Sequence, residues 1–93
     1  MLTVLAALYH IGLILAGTEM QNACFIASTD GVLRKEELQK ALSGMRVLVE
    51  TPMILRAIAA ARELETLLAS WDGEGAPPSA MVAWASSFLA KRV

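Results

Sequence analysis

The sequence predicts an all-α protein of about five helices in antiparallel hairpins, and three observations predict it. Apolar residues recur at three- and four-residue spacings along most of the chain. Turn-forming residues punctuate it at Gly17-Thr18, Asp30-Gly31, Thr51-Pro52 and the run "DGEGAPP". No segment alternates apolar and polar residues for long enough to make a strand.

The first helix is predicted over residues 2–16, where Leu, Val, Ala, Ile and Tyr fall on every side and only Thr3, His10 and Gly12 interrupt them. A helix that is apolar all round must be enclosed. Gly17 ends it, and Thr18 is the predicted N-cap of the second helix, with Gln21 three residues on completing a capping-box pattern before Ala23, Phe25, Ile26 and Ala27. Asp30-Gly31 breaks that helix. The third carries an apolar stripe of Leu38, Ala41, Leu42, Met45, Leu48 and Val49, with Glu36 and Lys40 spaced to pair on its wet side. The fourth opens with Thr51 as N-cap and Pro52 at the first helical position, where its missing N–H costs nothing. It runs to about Trp71. Its buried stripe is predicted as Ala57, Ala60, Ala61, Leu64, Leu67, Leu68 and Trp71, opposite a polar face of Arg56, Glu63, Thr66 and Ser70. Residues 72–78 form a loop, and Ser79 starts a last helix with Met81, Trp84, Ala85, Phe88 and Leu89 on one side.

At 93 residues the chain forms one helical domain, residues 1–93. A domain of this size buries only about 60–65% of the surface its unfolded chain exposes. Yet 56% of its residues are hydrophobic and 18% charged, more apolar side chain than one small core encloses. The surplus calls for a partner. Residues 1–33 carry only Glu19 and Asp30 as formal charges. A membrane span and a cleaved export signal are the rival explanations of this segment. The first apolar run falls short of the ~20 residues a spanning helix needs, and extending it crosses Glu19, Gln21-Asn22 and Asp30-Gly31. No basic residue precedes the apolar core as a secretory signal requires, since the first is Arg34. With net charge −1 and eight Lys and Arg scattered from Arg34 onward, no basic patch is available for nucleic acid or anionic lipid. The single cysteine, Cys24, excludes an intrachain disulfide and points to the cytosol.

Groups for catalysis are sparse. His10 and Cys24 are each the only residue of their kind, whereas zinc needs three or four ligands; both read as packing residues. Glu63 and Glu65, two apart on a helix, point to different faces and do not form a carboxylate pair. Gly73-x-Gly75 has no strand before it, so it reads as a linker rather than a phosphate loop. The expectation is no enzyme activity, no catalytic residue, no metal and no cofactor. Met20, Met45, Met53 and Met81 are candidates for an adaptable binding surface as well as for ordinary core.

The spacing Leu8-x-x-Ile11-Gly12-x-x-Leu15 resembles the first helix of a tetratricopeptide repeat, with Gly17 similar to the turn glycine and Ala23 and Ala27 to the small residues of the second helix. Gly17 stands early for that motif, Ala23 late, and no closing proline follows. Over most of the chain, "IGLILAG" followed by "NACFIA", "ETP" opening a long helix with "ARELETLLAS", and a proline-containing loop before a final helix are similar to the small chaperones of type III secretion needle subunits. That resemblance implies a cytosolic chaperone that covers the amphipathic helix of a needle subunit and so prevents its premature polymerisation. It also implies a small helical co-chaperone against the first repeat. By repeat geometry, Tyr9 and Leu13 match first-helix positions on the concave side. Leu38, Leu42 and Met45 join the expected groove from the stripe of helix three, and Leu5 and Met20 as apolar neighbours. The alternative is a helical interaction module that forms an obligate homodimer, burying the first helix against its own copy.

Overall fold

A computed structural model describes residues 2–15, 17–45, 51–73 and 75–90. It is all-α among these residues, with five helices: α1 Leu2–Ile14, α2 Thr18–Asp30, α3 Lys35–Gly44, α4 Pro52–Ser70 and α5 Ser79–Ala90. The short connections between α1 and α2 and between α2 and α3 fold these neighbours back on one another as antiparallel hairpins.

α1 is the centre of the molecule because it alone is apolar on every side. It packs against α2, α4 and α5 and buries Val4, Ala7, Leu8, Ile11 and Gly12. Gly12 brings α1 and α2 together: a Cβ there would meet Gln21 Cγ at 3.1 Å and the Gly17 carbonyl oxygen at 3.3 Å. The contact between α1 and α5 joins the first helix to the last. In an open array each repeat touches only its neighbours; here that contact closes the helices into a globule with a Cα radius of gyration of 12.1 Å.

Local signals mark most boundaries. The Thr51 side chain accepts a hydrogen bond from the Ile54 N–H at 3.2 Å, capping α4 just before Pro52. Gly31 ends α2 in the left-handed region at φ 75°, its N–H donating to the Ala27 carbonyl at 2.8 Å. α5 begins where the Pro78 carbonyl accepts from Met81 and Val82 N–H groups. The start of α2 differs from expectation. Thr18 lies inside the helix, Gly17 is the cap residue, and no side chain caps it. The physical reason is the tightness of the hairpin: the Gly17 N–H donates back to the Gly12 carbonyl at 2.7 Å while its own carbonyl accepts from Gln21. The connection is then too short to hold Thr18 in the extended conformation a capping box needs.

α3 is shorter than its apolar pattern. It ends at Gly44 with Met45 as an extended C-cap, and Leu48 and Val49 lie outside the described residues. Glu36 and Lys40 are both exposed, and among the described residues the i,i+4 ion pair that forms is instead Asp30–Arg34, 2.8 Å, across the turn before α3. On α4 the predicted stripe is buried, with Leu67 only partly so, and Arg56, Glu63, Thr66 and Ser70 are exposed. Among the described residues, polar ties also join the helices. The Trp84 indole N–H donates to the Ala60 carbonyl at 3.0 Å, joining α5 to α4. Lys35 Nζ donates to the Trp71 carbonyl at 2.6 Å, joining the start of α3 to the end of α4. The cation at that helix end also complements the α4 dipole.

Candidate partner-binding surface

α1 leaves one narrow side uncovered. Leu2, Ala6, Tyr9 and Leu13 are its exposed residues, at the four-, three- and four-residue steps of a single helical face. Leu2 is 82% exposed, Tyr9 47% and Leu13 50%. Burying such a stripe is favourable by roughly 25 cal/mol per Å², so leaving it in water forgoes free energy that a partner could recover. Leu5 and His10 flank the stripe, half-buried, and the Tyr9 and His10 rings meet edge-on with centroids 6.4 Å apart.

A trough runs along each side of the stripe. Between α1 and α2 a cavity of about 410 Å³ is walled by Leu2, Leu5, Ala6, Tyr9 and Phe25, with Cys24 at its floor. On the other side a cavity of about 690 Å³ lies where α1 meets the start of α4 and the last turns of α5, walled by Leu13, Ile14, Pro52, Met53, Ile54 and Phe88. His10 borders both.

The expected groove residues divide into two groups. Tyr9, Leu13 and Leu5 lie together on this face. Met20, Leu38 and Leu42 do not: at 0%, 1% and 7% exposure they belong to the core and offer no surface in this conformation. The apolar stripe of α3 is spent on packing against α2 and α4. Met45 is half-buried, its side chain lying over Gly17 so closely that a Cβ there would meet Met45 Cε at 2.7 Å. Of the four methionines with a candidate binding role, Met20 and Met81 are fully buried, while Met53 is 62% exposed beside the larger trough.

Phe25, 71% exposed, is the functional candidate that sequence reasoning missed. The inward face of α2 buries Met20, Cys24 and Ala27, three and four residues apart, and Phe25 falls beside it. The spacing of those three residues is the signal that sets it apart.

Cys24 lies at the edge of this face. Cys24 donates its S–H to the Leu5 carbonyl at 3.8 Å, and burial pushes its pKa up to about 11, so it stays a protonated thiol at neutral pH. Among the described residues no group of three or more His, Cys, Asp or Glu is placed to hold a metal ion. No helix of the described residues is long and apolar enough to cross a membrane. No protein-family model matches this chain, and no curated protein or solved structure is significantly similar to it.

Proposed function

We propose that this chain is a cytosolic, non-enzymatic chaperone that holds the amphipathic helix of a self-assembling secreted subunit, of the kind that forms type III secretion needles, together with a small helical co-chaperone. The observation that carries the reading is the uncovered stripe of α1 with an apolar trough on either side. An amphipathic helix seats its apolar side chains in such a surface at i, i+3, i+4 and i+7, and covering them stops the subunit from assembling with its own copies. The needle subunit as cargo rests on the resemblance of "IGLILAG", "NACFIA" and "ARELETLLAS" alone.

Titrating the chain with a type III needle subunit, and with the peptide of its C-terminal helix, tests the proposal. Binding is expected for both, and Leu13→Glu or Tyr9→Glu is expected to weaken it by at least ~1.4 kcal/mol, tenfold in affinity, without loss of helical circular dichroism. Absence of binding to the subunit and its helix, with and without a co-chaperone, overturns the proposal.

A further inference from the structure

We infer that the free chain is a two-fold dimer in which α1 of each copy packs antiparallel against α1 of the other, in a register centred between Ala7 and Leu8. The inference concerns the chain without cargo and stands apart from the chaperone reading, since the stripe needs cover whether or not a secreted subunit ever reaches it.

The spacing of the stripe selects the occupant. A two-fold axis through the middle of α1 sets Leu2 against the partner's Leu13 and Ala6 against the partner's Tyr9, and symmetry repeats both pairs. All four exposed positions of the helix are thereby used, and none is left over. Ala6 is the one small residue among them and faces the one aromatic ring, leaving the hole a large knob fills. The troughs flanking the stripe give the rims of the second copy somewhere to sit, as ridges pack into grooves between crossed helices.

Charge points the same way. No Asp, Glu, Lys or Arg occurs from Leu2 to Thr18, so the two α1 stripes meet without opposing like charges, and the charged group nearest them, Arg56, lies on the wall of the larger trough. The absence of Lys and Arg before Arg34 removes the headgroup attraction that would hold α1 and α2 on an anionic membrane surface. Complete cover of Leu2, Tyr9, Leu13, Phe25 and Met53 would take roughly 500 Å² of apolar side chain per copy out of water, just under the ~600 Å² per partner at the low end of specific interfaces, so the pairing belongs to the weak class and is read at high concentration.

Sedimentation equilibrium or light scattering on the full chain alone is expected to give twice the chain mass. Ala6→Arg, at an exposed position, is expected to keep the helical signal and weaken self-association at least ~tenfold. Cysteine cross-linking reads the register, with Cys24 buried and out of reach. Ala6→Cys is expected to form an interchain disulfide with itself. Leu2→Cys is not, because antiparallel pairing puts its two copies about 16 Å apart along the helix, beyond disulfide reach. A mixture of Leu2→Cys and Leu13→Cys chains is expected to cross-link. A monomer at high concentration, a dimer indifferent to Ala6→Arg, or self-cross-linking of Leu2→Cys each overturns the inference. Because these measurements use no cargo, their failure leaves the chaperone reading standing, and failure of cargo binding leaves the dimer standing.

Discussion

α1 and α4 both bury a face in the same core, and they treat water differently. α4 turns Arg56, Glu63, Thr66 and Ser70 outward, so its buried and solvated sides are distinguished by chemistry. α1 turns Leu2, Ala6, Tyr9 and Leu13 outward, and its two sides differ only in what happens to pack on them. From Arg56 onward α4 is the helix of a finished surface; only its first turn, with Met53 and Leu55 exposed, is not. The uncovered side of α1 is composed like the core beneath it, and on that likeness the proposed partner surface rests.

The strongest way to break that comparison is to place a carboxylate on each helix. Leu64 is fully buried on α4 in a core that, among the described residues, holds no buried polar or charged residue, so Leu64→Glu is expected to cost several kcal/mol and abolish the cooperative unfolding transition. Leu13→Glu lies on the side of α1 that the single chain leaves uncovered, so it is expected to loosen pairing between copies but to change the stability of the single chain by less than ~1 kcal/mol, read in a chemical denaturation series at concentrations low enough for the chain to be monomeric. Collapse of the Leu13→Glu helical signal to that of Leu64→Glu would make α1 core on all sides and dissolve the distinction.

A smaller effect sharpens it at the helix starts. Thr51→Ala removes the hydrogen bond to the Ile54 N–H and is expected to cost about 1 kcal/mol. Thr18→Ala removes no cap and substitutes a better helix former inside α2, so it is expected to be neutral or slightly stabilising. Equal losses in thermal melts of the two variants would mean that Thr18 caps α2 after all.

These boundaries show why some of the structure was legible in the sequence. The start of α4 and the end of α2 are written in two adjacent residues each, Thr51-Pro52 and Asp30-Gly31, and their geometry depends on little else. The α4 stripe was readable because its opposite face is charged. Thr18 carried an equally good local signal, but the close approach at Gly12 shortened the connection and overrode it. The candidate site was legible only in part, for a related reason. Tyr9 and Leu13 sit on a helix whose apolar residues surround it, so composition alone cannot rank its sides; which side stays uncovered is set by the packing of α2, α4 and α5. Met20, Leu38 and Leu42 show the converse. An amphipathic stripe reports that a face is covered, not whether the cover is the chain's own core or a partner.

The smallest expected effect lies in the turn before α3. Arg34 holds the Asp30 carboxyl below its ordinary value of 3.8, first through a side-chain hydrogen bond, with the Val32 N–H adding a second. A depressed folded pKa means that this stabilisation is present above the unfolded value and lost as pH falls through the lower folded one. Asp30→Asn is therefore expected to flatten slightly the acid limb of a plot of Tm against pH, below about pH 4. Both side chains are well exposed and screened by solvent, so a slope identical to that of the parent chain would leave the pair with no energetic role.

The packing of α5 on α1 carries a consequence in time. A ribosome delivers about 5–20 residues per second, so the wait between the emergence of α1 and that of α5 is on the order of several seconds. The α1–α2 hairpin, built from local contacts, can form at once. The flank of α1 that α5 will cover stays bare until synthesis reaches residue 79 and beyond. During that interval the nascent chain shows water two greasy sides of one helix rather than one, and it is most vulnerable to sticking to whatever is nearby before it has finished being made.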